Sequence, residues 1–313
     1  MAAACPHACP FGELGDFVHL ALKPLGYDVI LCGNCNGAGG PRIVSLAARA
    51  PPLTALDLTL GTDTRIDAPI DFGVTMIGVL NSAYLGSGAY AKDGPHKNLR
   101  LIARIEDPVY LLVAVREGSG LTDLSQIRER RLPVRILASG GLSREVLAYY
   151  GLTPEMLAAQ GGSIAPAMGA SSDARFDILI SDLASPANNW ESNFWTGFSQ
   201  SHDLKFLELP AALLDRLACH PGVERVTAKW GLLRGIDQEI LTVGQSGEAV
   251  FAREDTPDRA AYDLARAIDA RRAALKWYVR PYSYDPDTVW NGLSVPLHPG
   301  AARWYREQGY IKP

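Results

Sequence analysis

The stretch LPVRILASGGLSREVLAYYG, residues 132–151, decides how the chain is read. A short apolar run, VRIL, leads into a small-residue loop, ASGG, and then into apolar positions at helical spacing. That order is strand, loop, helix, and it recurs outward in both directions. YDVILC (27–32) precedes the glycine-rich GNCNGAGG (33–40) and the apolar-periodic PRIVSLAARA (41–50), with Pro41 at a helix start. The same order returns at DFGVTMIGVL (71–80) and at FDILISDLA (176–184). Strands alternating with helices predict an α/β protein whose sheet is mostly parallel.

Helices frame this pattern at both ends. Leu14, Phe17, Val18, Ala21, Leu22 and Leu25 form one apolar stripe that Pro24 and Gly26 interrupt. Near the C-terminus, DRAAYDLARAIDARRAALKW (258–277) has a strong helical pattern, and a last short helix is expected over 300–308. At 313 residues the chain is long enough for two lobes, since single domains usually run to about 100–200 residues.

Composition excludes several functions. A hydrophobic fraction of 47% and a charged fraction of 20% belong to an ordinary globular protein. Thirty basic and 34 acidic residues give a net charge of -4 with no basic block, so nucleic acid is not an expected partner. No run of 18 apolar residues occurs, so membrane insertion is not expected, and the first residues lack the regions of a signal peptide. Ser/His/Asp order, HExxH, EF-hand and nucleotide-binding glycine signatures are absent, and no cofactor is implied.

Three loops carry the chemistry: CPHACPFG (5–12), GNCNGAGG and SGGLS (139–143), each before a helix. Helix N-termini carry partial positive charge and present free N–H groups, so such loops suit a small anion. In a parallel sheet these loops emerge together at the strand C-termini.

The segments FGELGDFVHLAL (11–22), GPRIVSLAARA (40–50), DFGVTMIGVLNSAYLGSG (71–88), NLRLIARIEDPVYLLVAVREGSGLTDLSQI (98–127), SREVLAYYGLTPE (143–155) and above all LSVPLHPGAARWYREQGY (293–310) resemble TAXI-type solute-binding proteins, receptors of certain tripartite (TRAP) transporters. The resemblance implies an α/β, two-lobed type II periplasmic-binding-protein-like fold with a ligand cleft between the lobes. It places lobe 1 at 1–112, lobe 2 at 113–244, and a crossover and C-terminal part at 245–313. It implies reversible binding of a small organic anion, often a carboxylate, and TRAP membrane subunits as partners. The ligand contacts it implies fall on Cys5 to Cys9, Gly33, Asn34, Cys35, Thr75, Met76, Ser139, Gly140, Gly141 and Ser143. Asn188 and Trp190 follow the FDILISDLA strand, whose end faces the cleft in that fold. Trp190, Phe194 and Trp195 either stack on ligand or close a core.

Two features depart from the family. Met1 lies almost inside the first strand, so the chain as written is expected in the cytoplasm, or in the periplasm if an upstream signal peptide has been lost. Where relatives carry Gly, Ser or Thr, this chain has Cys5, His7, Cys9, Cys32 and Cys35. These thiols line a ligand pocket or pack as small hydrophobes. A second reading makes Cys5, His7, Cys9 and Cys35 the acid/base or nucleophilic groups of a lyase, decarboxylase or isomerase acting on an unsaturated or aromatic carboxylate. A third makes Cys5, Cys9, Cys32 and Cys35 a metal site, although their spacing matches no common zinc ribbon. His298, in PLHPG, reads as a hydrogen-bonded structural histidine, and Asp177 and Asp182 as polar caps or ligand groups.

Overall fold

The computed structural model describes residues 1, 10–30, 53–57, 62–66, 71–184, 193–278 and 282–312. The chain is mixed α/β and divides into two compact units, Met1–Asp107 with Ser246–Pro313, and Pro108–Gln245.

In unit 1, helix α1 (Pro10–Leu22) forms on the expected apolar stripe and buries Leu14, Phe17, Val18, Ala21 and Leu22. A 3-10 turn, Lys23–Leu25, ends at Gly26, whose φ of 83° is left-handed. Residues 27–30, expected to open a strand, pair with no strand among the described residues, and the rest of that strand, the glycine loop and the helix at 41–50 lie outside them. Strands β1 (Leu53–Asp57) and β2 (Thr62–Ile66) form an antiparallel pair. Strand β3 (Phe72–Met76) ends where the chain turns at Met76 into helix α2 (Ile77–Leu85).

Strand β4 (Leu99–Arg116) is 18 residues long and carries the chain into unit 2. There follow α3 (Ser125–Glu129), β5 (Arg135–Ser139), α4 (Gly141–Tyr149), α5 (Pro154–Ala159), β6 (Ser163–Pro166) and β7 (Ile178–Ala184). After them come α6 (Asn193–Ser201), β8 (Leu204–Phe206), α7 (Ala211–Leu217) and β9 (Val223–Ala228). Strand β10 (Ile240–Arg253) returns the chain to unit 1, which ends with α8 (Asp258–Ala270) and α9 (Pro299–Glu307).

The expectation of a mostly parallel sheet is corrected. Among the described pairings only β5–β6 and β5–β7 are parallel; β3–β10, β4–β7, β4–β8 and β9–β10 are antiparallel. A parallel pair needs a crossover connection, and among the described residues the neighbouring strands β5, β6 and β7 are joined by such connections. The long strands that link the units meet their neighbours head to tail.

Unit 2 shows why its sheet is buried on both faces. Leu111, Val113 and Val115 of β4 pack with Ile136, Ile178 and Ile180 beneath Val146 and Leu147 of α4 and Leu213 and Leu217 of α7. The intervening Leu112 and Ala114, with Leu137 and Leu179, pack on the other face against Phe176, Trp195 and Phe198. Successive side chains point to opposite faces, so both sets must be apolar. In unit 1, α1, α8 and α9 cover β3 and the adjoining halves of β4 and β10 through Phe17, Val74, Ile102, Val250, Leu264, Ala301 and Tyr305.

The C-terminal segment is tied to α8 by one carboxylate. Asp269, 3% exposed, accepts hydrogen bonds from Trp304 Nε1 at 3.1 Å, Tyr310 Oη at 3.1 Å and the Arg272 guanidinium at 2.5 Å.

Candidate functional site

In unit 2 the site grows out of the β5–α4 connection. β5 delivers Ser139, and Gly140 turns the chain with φ 97°, a conformation that favours glycine. Helix α4 begins at Gly141, earlier than the expected start near Arg144, so Gly141, Leu142 and Ser143 are its first turn. These are the residues whose N–H groups lack partners within a helix.

The protein supplies an anion there itself. Parallel pairing sets Ser139 beside Ser181, which brings the next residue of β7, Asp182, across from Gly140. Asp182 Oδ2 accepts the Leu142 N–H at 3.0 Å. Its Oδ1 is buried without a hydrogen bond among the described residues. Burial pushes the Asp182 carboxyl up from its ordinary range, while the N–H donors of the helix turn and the charge of Arg144 pull the other way.

The serines of the loop are also engaged. Ser139 Oγ accepts from the N–H groups of Ala167 at 3.0 Å and Met168 at 2.8 Å. Ser143, fully buried, donates its hydroxyl to Ser139 O at 2.6 Å. Hydroxyls and amides that the sequence aims at a ligand therefore fix the loop to β7 and to the segment after β6.

In unit 1, Thr75 and Met76 stand at the end of β3, directly before α2. Met76 is the N-cap and gives no side-chain hydrogen bond. Thr75 is fully buried, and its Oγ1 has no hydrogen bond among the described residues. A buried hydroxyl without a partner is costly, of the order of 1–3 kcal/mol, and calls for an explanation.

Other sequence candidates separate cleanly. Trp195 is fully buried in the unit 2 core, its ring 5.8 Å from Phe206, and so closes a core there. His298, also fully buried, caps α9: its Nδ1 accepts the Gly300 N–H at 3.2 Å, and its Nε2 bonds Thr256 O at 3.0 Å. That pattern fixes the neutral Nε2–H form, and burial lowers the imidazole below its ordinary value. Cys5, His7, Cys9, Cys32, Gly33, Asn34, Cys35, Asn188 and Trp190 lie outside the described residues. Cys219 is free and exposed, and no group of three or more metal-binding side chains occurs among the described residues. No helix of the described residues is long and apolar enough to cross a membrane. The carboxylate of Asp182 on α4 was left open by sequence, because the register that places it is set between strands far apart in the chain.

Residues 67–309 match the NMT1-like family. Among solved structures, the chain is similar to a TctC solute-binding protein from Polaromonas, with 16% identity, 99% of this chain and 96% of that chain covered, and a TM-score of 0.49. It is also similar to a protein of R. palustris with adipate, at 14% identity, 99% and 95% coverage and a TM-score of 0.47. A third likeness is to MatC from Rhodopseudomonas palustris with bound malate, at 12% identity, 90% and 88% coverage and a TM-score of 0.44.

Proposed function

The chain belongs to the NMT1-like family, and from that membership we propose that it is a solute-binding protein that holds a small organic anion, a carboxylate, reversibly and without chemistry. The TAXI-like motifs quoted above support TRAP-type uptake as its setting and the periplasm as its working compartment. The candidate contacts are Thr75 and Met76 within unit 1 and Ser139, Gly140, Gly141 and Ser143 within unit 2.

The observation that carries the proposal is Thr75. Its hydroxyl is buried without a partner beside the start of α2, a nine-residue helix with no side-chain cap. A carboxylate oxygen satisfies both needs together: it accepts the hydroxyl proton and sits in the positive end of the helix dipole. In unit 2, where Asp182 already caps α4, the loop serves as a rigid rim held by Ser139 and Ser143.

A thermal-shift and calorimetric panel of small mono- and dicarboxylates, malate and adipate among them, tests this with wild type and Thr75→Val. Valine keeps the shape and removes only the hydroxyl, so the variant is expected to fold with unchanged or slightly higher stability. A ligand that binds wild type should bind Thr75→Val about tenfold more weakly, the value of one charge-assisted hydrogen bond. Equal affinity in the two proteins would remove Thr75 from the site.

A further inference from the structure

We propose that unit 2 carries a second binding site, at the end of its sheet away from the Ser139–Ser143 loop, for a small polyanion of the phosphate class. A cavity of about 690 Å³ opens there, lined by Arg116, Arg135, Arg175, Ser119, Phe176 and Asp177 among others. Arg116 closes β4, Arg135 opens β5, and Phe176 and Asp177 lead into β7. Ser139 stands at the other end of β5, four residues and roughly 13 Å along the strand.

The three arginines bring more charge than the cavity neutralises. Arg135 and Arg175 have exposed side chains with no hydrogen bond or ion pair among the described residues. Arg116 is positioned but not neutralised: it lies 5.6 Å from the Phe176 ring centre, and its Nη1 is 2.9 Å from His202 Nδ1. A guanidinium only donates, so Nδ1 must accept, and His202 is neutral with Nε2–H donated to Ser172 O at 2.7 Å. Asp177 is the lone carboxylate of the lining, and its Oδ2 is taken by the backbone N–H of Arg135 at 2.7 Å. The nearby Asp203 is paired with Arg234. Three fixed cations facing one carboxylate leave the concavity strongly positive.

The lining favours phosphate over carboxylate. Guanidinium forks on several sides suit a tetrahedral group that offers acceptors in every direction, whereas a carboxylate offers them in one plane. Ser119 Oγ accepts the Leu121 N–H at 3.2 Å, which leaves its O–H available to donate. The buried ring of Phe176 supplies an apolar floor. The volume accommodates a diphosphate or a phosphate ester. In the sequence these residues are scattered over 116–177 and form no basic run, so only the fold gathers them.

The test is calorimetric titration of the full chain with inorganic pyrophosphate, ADP and citrate at low salt, on wild type and on Arg135→Gln/Arg175→Gln. Both side chains are exposed and unbonded, so the double variant should melt with wild type; circular dichroism checks this. Saturable pyrophosphate binding, weakened at least tenfold in the variant while any carboxylate ligand of wild type binds unchanged, is the expected result. ADP binding as tightly as pyrophosphate identifies the source as a phosphate ester and also supports the site. Three results would overturn the proposal: no saturable pyrophosphate binding, equal pyrophosphate affinity in both proteins, or citrate binding as tightly as pyrophosphate in wild type and weakened to the same extent in Arg135→Gln/Arg175→Gln. The test stands apart from the carboxylate proposal, which predicts no change in the double variant.

Discussion

Asp182 and Gly140 share one space: a Cβ on residue 140 would lie 1.4 Å from Asp182 Oδ1 and 2.2 Å from its Cγ. The carboxylate can reach the first turn of α4 only because residue 140 has no side chain.

Gly140→Ala should therefore be strongly destabilising. The φ of 97° costs an L-residue about 1–3 kcal/mol, and the overlap with buried Asp182 adds to it. Urea denaturation should show a loss of at least about 2 kcal/mol. Gly141→Ala, with open space around its Cβ, should lose far less.

Asp182 also sets a pH dependence. Burial raises its carboxyl above the ordinary 3.8, so the folded state holds the proton more tightly than the unfolded state. Stability from this group is fully present below 3.8 and is lost as pH rises through the folded value. Relative to Asp182→Asn, wild type should lose stability as pH rises from about 4 through the raised folded value. A flat difference between the two proteins would show that the carboxyl is not perturbed.

His298 has the opposite sign. Its folded value is depressed by burial below 6.5, so its contribution is present above 6.5 and lost as pH falls through the folded value. Removing the cap and leaving the Gly300 N–H unpaired, His298→Ala should cost about 1–3 kcal/mol at neutral pH. The cost should shrink in acid, as read by denaturation at both pH values.

Asp269 should hold the C-terminal segment in place. Asp269→Ala strands Trp304 Nε1 and the Tyr310 hydroxyl and removes the carboxylate partner of Arg272. A loss of about 3 kcal/mol is expected. Hydrogen exchange should show the largest gain over residues 304–312.

Much of this was legible in the sequence because it is local. The stripe of α1, the SGG turn into α4 and the long helix α8 each repeat a pattern within a few residues. The longest strand was not read this way. β4 is buried along most of both faces, which erases alternation, and it buries Arg104 and Asp107 at 4% exposure each. Its antiparallel pairing with β7, and that of β10 with β3, join segments far apart in the chain, so the sheet was expected to be more parallel than it is. The Asp182 cap has the same origin, since only the β5–β7 register places it. Thr75 was singled out by family motif, but the want of a partner for its hydroxyl is visible only once the surrounding atoms are placed.

A solute-binding protein holds its ligand without turnover. The most direct measurement incubates stoichiometric protein with the tightest carboxylate of the panel for many hours, unfolds the protein, and quantifies the released compound by mass spectrometry. Reversible binding predicts full recovery of one unchanged ligand per chain, with affinity reduced in Thr75→Val. Conversion of the ligand by wild-type protein, abolished by Cys9→Ser or Cys35→Ser, would contradict it.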